Sequence, residues 1–378
     1  MSGIFSINSS SNVRSSTMTL PDQPLYLPYE LRTEMNWIDF SSTINPLGTP
    51  KSFIQSIHSS IVDGELEYTP DRDAQTLRAS LGKYFGLPAN SFLCGSSVSS
   101  MIQAAAQTYQ PCTVGISVPS PIEYSLAVAN AGHELTELAS HHSFVVPTAH
   151  AAQRGGIVFD AAILANPSYP TSRLLSRSTL LDYLETCKWV IVDESLIELT
   201  LGGASMIDLT QYHQNLIIVR SFANTFAMPG IPISYCIAHP DTIAQIQHFF
   251  DSSSISMFSE VLAKTMLDED DYLEETRDVL ESEIPWMQCM LNLIPGIQIF
   301  PAESNFVMCS FELNDLMDLA ISNTDELVLR LQLAGFLVKK LEGMPGILSN
   351  KYFCVAVRAR EDNEKLLQAI RRIVIKRR

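Results

Sequence analysis

The sequence predicts an α/β protein with a large domain, whose mostly parallel sheet is covered by helices, and a smaller α/β domain after it. Three observations predict this. The 378 residues are 46% apolar and 17% charged, more than one ordinary domain needs and enough to bury full cores. From about residue 75, short β-branched runs alternate with longer helical stretches, as in parallel strands joined by crossover helices. After about residue 260 the texture changes to an acidic helix followed by fewer, shorter runs.

Residues 1–50 are expected to form an N-terminal arm and lead-in segment, 51–258 the large domain, and 259–378 the small one. The opening MSGIFSINSSSNVRSSTMTL is polar and of low complexity, which predicts a flexible or partner-clasping arm instead of an independent fold. Strands are expected at Phe92 to Cys94, Val114 to Val118, Ala162 to Ala165, Trp189 to Val192, Leu216 to Val219 and Ile233 to Ile237. Ligands of such sheets bind beyond the carboxyl ends of the strands, so the loops GSSVSS, PSPIEY, NPSYPTS, DESL and SFANTF are where chemistry is sought. The run LDEDDYLEETRDVLESE reads as a helix with a solvated acidic face. Strands follow near Asn305 to Phe311 and Tyr352 to Arg358. A last helix then lays Leu366, Leu367, Ile370, Ile373 and Val374 on the small sheet. The basic tail Lys376, Arg377 and Arg378 suits that helix's negative end.

A formal charge of −16 disfavours nucleic acid and anionic membranes as partners, because phosphate binding draws on clustered Lys and Arg. Cys94, Cys112, Cys187, Cys236, Cys289, Cys309 and Cys354 are odd in number, scattered and without metal-ligand spacing, which suits thiols in a reducing compartment. No signal peptide or spanning segment is legible, so the cytoplasm is expected. The adjacent His141 and His142 read as loop residues, not as ligands.

Seven collinear motifs carry a resemblance: IDFSSTINPLGTP, YTPDRDAQTLRASLGKYFGLP, VPSPIEY, NPSYPTS, VIVDES, RSFANTFAMPGIPISY and YFCVAVRAREDNEKLL. Over roughly residues 38 to 372 the chain resembles the fold-type I pyridoxal-phosphate enzymes, particularly the histidinol-phosphate aminotransferase and threonine-phosphate decarboxylase branch. The resemblance implies the aspartate-aminotransferase-type fold and a homodimer with the cofactor at the subunit boundary. It also implies an Asp on the pyridine nitrogen and a Lys forming the Schiff base.

Residue by residue, the resemblance is uneven. Asp193 matches the pyridine-nitrogen aspartate, Ser221 a phosphate-binding hydroxyl, and Tyr68 the tyrosine reaching the neighbouring subunit's phosphate. Ser97, Val98 and Ser99 match the phosphate loop and open a helix whose free N–H groups favour an anion. The lysine position, however, is Asn224, whose amide is neither nucleophilic nor basic. The phosphate-clamping arginine falls on Pro232, the phenolate-binding Asn on Tyr169, and the tyrosine after the acidic strand on Leu196. The ring-stacking aromatic falls on Pro121, with Tyr124 close by. The substrate-carboxylate arginine falls on Cys354, while Arg358 keeps the strand's other arginine. Simpler roles are open at each kept position: Asp193 as a turn cap, Ser97 and Ser99 as helix caps, Asn166 and Pro170 as turn residues.

Three functions follow. The first is a pseudoenzyme that keeps the dimeric scaffold, binding a small anionic or amino-acid-derived ligand or an active family partner, with no covalent cofactor. The second is an enzyme of another reaction class using Asp193, Tyr169, Tyr124 or Cys354. The third is an aminotransferase or decarboxylase that holds pyridoxal phosphate noncovalently, helped by a lysine from elsewhere: Lys339, Lys340 or Lys351.

Overall fold

Seven strands form the large sheet and five the small one, in a computed structural model that describes residues 37–71, 73–139, 144–251, 255–312 and 319–375. The N-terminal arm, His141 and His142, and the basic tail lie outside the described residues. From the N-terminus the chain runs β1 (Ile38–Phe40), α1 (Lys51–Val62), α2 (Gln75–Phe85), β2 (Phe92–Gly95), α3 (Val98–Gln107) and β3 (Thr113–Val118). It continues through α4 (Ile122–Asn130), β4 (Glu134–Ala139), α5 (Ala149–Arg154), β5 (Ala161–Ala165), α6 (Arg177–Thr186), β6 (Val190–Asp193), β7 (Leu216–Ser221) and β8 (Ser234–Ala238). Next come α7 (Pro240–Gln247), α8 (Met257–Met266), α9 (Asp270–Asn292), β9 (Ile297–Ile299) and β10 (Phe306–Phe311). The chain closes with α10 (Thr324–Leu333), β11 (Phe336–Lys340), β12 (Tyr352–Ala356) and α11 (Arg360–Val374).

The large sheet has the order β2-β8-β7-β6-β5-β3-β4, and β7, β6, β5, β3 and β4 are mutually parallel. Both faces of its centre are buried: Val190, Val192, Leu216 and Ile218 on one, and Ile191, Ile163, Ile217 and Val219 on the other. That is why these strands read as unbroken apolar runs in the sequence. The six expected strands are all present, and β4 is an edge strand whose polar alternation hid it. β8 departs from the parallel pattern and pairs antiparallel with both β7 and β2. The intervening residues 222–233 contain no helix to cross the sheet, so the chain turns back beside the strand it has just left. That helix-free turn carries Asn224.

The small sheet has the order β1-β11-β12-β10-β9. β1 comes from the lead-in segment and pairs parallel with β11, a long-range join that local sequence does not announce. In α11, Leu366, Leu367, Ile370 and Val374 are buried as its stripe predicts, and Ile373 is partly buried. α9 spans both cores: Tyr272 and Leu273 touch the large-sheet cluster, while Leu280, Ile284, Met287 and Leu291 belong to the small-sheet cluster. Its acidic face is mostly exposed as expected, but Glu283 is buried and bonded to Arg360 and Asn363. The two sheets also meet through a loop. At Gly346 (φ 79°) an added Cβ would stand 2.6 Å from Val118, so the chain after β11 presses directly on the end of β3.

Candidate functional site

The C-terminal ends of β3, β5, β6 and β7 converge on a cleft of about 180 Å³ lined by Tyr124, Tyr169, Asp193 and Asn224, with Thr43, Pro121, Pro167, Ser195 and Leu196 completing the wall. This is the crevice position expected for an open α/β sheet. Asp193 is the last residue of β6, and Tyr124 lies in the first turn of α4, the helix that follows β3. The Tyr124 hydroxyl donates to Asp193 Oδ2 at 2.5 Å, and the Ser195 N–H donates to Asp193 Oδ1 at 2.8 Å. The turn-capping role of Asp193 is therefore realised, and a buried phenol is added to it.

Asn224 is held from two sides. Phe222, Phe226 and Met228 anchor its turn in the core, and its carbonyl accepts the Asn45 N–H at 2.9 Å. The Asn45 side chain donates to the Thr225 carbonyl and to Thr276 Oγ1, both at 2.8 Å. The lead-in motif around Asn45 thus serves to fix the cleft turn. Asn224 Nδ2 itself reaches only Thr43 Oγ1, at 3.4 Å. Tyr169 rests on Phe306 of β10 with ring centroids 5.2 Å apart, so the small sheet forms part of the cleft's surroundings.

Burial raises the Asp193 carboxyl above the usual carboxylate range, with its bonds to Tyr124 and Ser195 opposing the rise. The Tyr124 hydroxyl is pushed well above the usual phenol range by burial and by the Asp193 charge. Tyr169 is raised likewise, by burial and then by Cys354 and Glu123. Burial pushes the Cys354 thiol up to about 12, so it stays protonated and is poorly suited to act as a nucleophile.

A pH prediction follows from Asp193. Its folded pKa lies above its unfolded one, so between the two the folded state holds more protons, and stability falls as pH rises through that window. Asp193→Asn keeps an acceptor for Ser195 N–H and offers an amide donor to the Tyr124 oxygen. The variant should lose that slope, at most about 1.4 kcal/mol per pH unit, in urea unfolding measured across the carboxylate range. An unchanged slope would contradict the burial argument.

The other sequence-derived candidates stand apart from the lining. Ser97 is the N-cap of α3 and its side chain makes no cap hydrogen bond, while Val98 and Ser99 begin that helix. Ser221 Oγ donates to the Ile233 carbonyl at 3.1 Å, a structural bond within its own hairpin. Arg358 is tied to Asp362 and to the Asp39 carbonyl, and its guanidinium lies over Phe40, so it joins β1 to the small domain. Tyr68 is 74% exposed. Asn166 is structural: Nδ2 donates to Glu194 and Oδ1 accepts the Leu175 N–H. Thr43, Pro167 and Ser195 line the cleft without having been singled out, although each lies inside one of the seven motifs. Among the described residues no group of three or more His, Cys, Asp or Glu could hold a metal ion, and no helix is long and apolar enough to cross a membrane.

A sheet of this order, with an acid ending a central strand and a second sheet closing from one side, defines the fold-type I architecture of pyridoxal-phosphate enzymes. The chain belongs to the class I and II aminotransferase family, whose sequence profile matches residues 35–370. It is 25% identical over 358 residues to a histidinol-phosphate aminotransferase of Desulfitobacterium hafniense, covering 92% of this chain and 94% of that one. It is 24% identical over 345 residues to the threonine-phosphate decarboxylase of Salmonella typhimurium, covering 89% and 91%. The crystal structure of the histidinol-phosphate aminotransferase from Clostridium acetobutylicum superposes with a TM-score of 0.79 at 25% identity, covering 89% of this chain and 98% of that one.

Proposed function

We propose that this chain keeps the family scaffold without transaminating, and that its cleft binds a small anionic, amino-acid-derived ligand with no covalent bond. One observation carries the reading. At the position that the family motif gives to the Schiff-base lysine, the cleft presents the Asn224 amide, and none of its nine lining residues is Lys or Arg. The ligand class is supported by the relatives named for histidinol phosphate and threonine phosphate, both small phosphorylated amines.

The residues present do not fit a covalently held pyridoxal phosphate. A pyridine nitrogen needs an acceptor, and Asp193 keeps a lone pair on each oxygen beside the bonds it accepts from the Tyr124 hydroxyl and the Ser195 N–H, so this one contact is retained. A phosphate needs donors or a cation. Pro232 offers neither, Ser221 Oγ is spent on a carbonyl and Arg220 is paired with Glu198, which leaves the N–H groups that open α3 as donors with no cation beside them. An aldehyde needs an amine, and an amide cannot supply one.

Titrating the purified protein with pyridoxal 5'-phosphate and following absorbance should give no saturation at micromolar concentration and no adduct after borohydride. Saturable micromolar binding would overturn the proposal.

A homodimer is part of the same proposal, with an active family member as the other candidate partner. Ile54, Ile61, Val62, Leu66 and Tyr68 are all at least 47% exposed within one short stretch of α1 and the turn after it. Exposed apolar side chains grouped in this way are costly in water, which supports an interface here. Replacing Ile54 and Val62 by Glu should weaken self-association at least a hundredfold, since each buried aliphatic side chain contributes about 1.5–3 kcal/mol. Sedimentation over a concentration series measures it, and an unshifted dimer would exclude this surface. The cysteines are free and five are buried, which supports placement in the reducing cytoplasm; fractionation of the producing cells would check it.

A further inference from the structure

We infer that Lys339 forms an oxyanion subsite on the small-sheet side of the cleft, where it takes the carboxylate or phosphate of a ligand whose flat, apolar body lies against Tyr169, Pro121 and Pro167. The inference rests on the noncovalent reading above and adds to it the group that recognises the ligand's charge.

The geometry comes from strand register. Lys339 of β11 pairs with Cys354 of β12, and Cys354 pairs with Met308 of β10. Paired residues share a face and alternate residues return to it, so Lys339, Cys354, Met308 and Phe306 all leave the same side of the sheet. That side is the one on which Tyr169 stacks against Phe306. The opposite face carries Val307, Phe353, Val355 and Val338 into the helix-covered core. Lys339 is therefore a cation that the small sheet turns toward the side of Tyr169.

The other cations of the small sheet are paired. Lys340 is paired with Asp325 and Glu342, Lys351 with Glu312, Arg358 with Asp362 and Arg360 with Glu283. The Lys339 side chain is half-buried and its amine makes no hydrogen bond or ion pair among the described residues. Cys354 beside it is a neutral thiol. Desolvation lowers the Lys339 amine from its usual range, and the carboxylate of Glu123, in the first turn of α4 next to the cleft residue Tyr124, pulls against that from a distance. A half-buried ammonium opposed only by a carboxylate at a distance gains from an anion that reaches it directly.

The test is calorimetric titration of the full-length protein with benzoate, phenyl phosphate and the uncharged benzamide. Benzoate or phenyl phosphate should bind at least tenfold tighter than benzamide, and whichever is tighter identifies the preferred oxyanion. Lys339→Met should abolish that preference and leave benzamide binding unchanged, while Lys339→Arg should retain most of it. Glu123→Gln removes a competing carboxylate and should tighten anion binding severalfold. Melting temperature separates a structural role, because Lys339→Met should melt no lower than the parent. Lower melting in both Lys339→Met and Glu123→Gln, with the anion preference intact, would make Lys339 a simple counter-ion and overturn the inference. Failure of all three probes to bind would overturn it as well. A borohydride-stable pyridoxyl adduct on Lys339 would instead refute the noncovalent reading, so the two failures are distinguishable.

Discussion

Replacing Arg220 by Met is expected to cost about 3–5 kcal/mol of stability, the range for removing one partner of a buried charge network. Arg220 lies at the end of β7, 5% exposed, paired with Glu198 and set over the Phe85 ring at 5.3 Å. Its charge also acts on Glu194, which is completely buried directly after Asp193. Glu194 is bonded to Ser205, Met206 N–H and Asn166, so it organises the loops behind the cleft. Burial holds its pKa above the usual carboxylate range, and Arg220 is the largest influence opposing that rise. Without the guanidinium the rise should grow. Because the folded pKa is the higher one, the penalty is present above it and relieved as pH falls below it. Urea unfolding at pH 8 should therefore show a larger loss than at pH 5. A loss below 1 kcal/mol, or one independent of pH, would mean that the network is held by hydrogen bonds alone.

The second large effect is a gain of binding. The combined variant Asn224→Lys, Pro232→Arg and Tyr169→Asn should retain pyridoxal 5'-phosphate at least a hundredfold more tightly than the parent and become labelled after borohydride. A charge-assisted hydrogen bond contributes about 1.5–3 kcal/mol, so an arginine at 232 offers one to two powers of ten before any covalent contribution. Asn224→Lys alone should fall far short, because it meets no cation for the phosphate and leaves Tyr169 in the cleft wall. Fluorescence of the reduced adduct, with its site located by peptide mass, measures the outcome. Tight binding by the single variant would show that the cleft is nearer to its relatives than its hydrogen bonds imply.

Much of this molecule was readable before folding. The buried runs of β3, β5, β6 and β7 are apolar on both faces, and that pattern locates them without any tertiary information. The same motifs pointed to Tyr124, Tyr169, Asp193 and Asn224, which the fold brings to one cleft. They did not separate these from Ser221 and Arg358, whose polar atoms are spent on the Ile233 carbonyl and on Asp362 and the Asp39 carbonyl. Whether a hydroxyl or guanidinium is free depends on partners far away in the chain, and residue type does not encode them.

The sequence by itself determined the α/β class, the positions of the central strands and the identity of residue 224, because these depend on side-chain chemistry and local periodicity. Only the tertiary structure decided that Tyr124 occupies an Asp193 oxygen, that β1 crosses to the small sheet, and that Lys339 shares a face with Phe306. Each of these is a contact between segments separated by dozens to hundreds of residues. Its free energy comes from burial and register, which exist once the sheets have assembled.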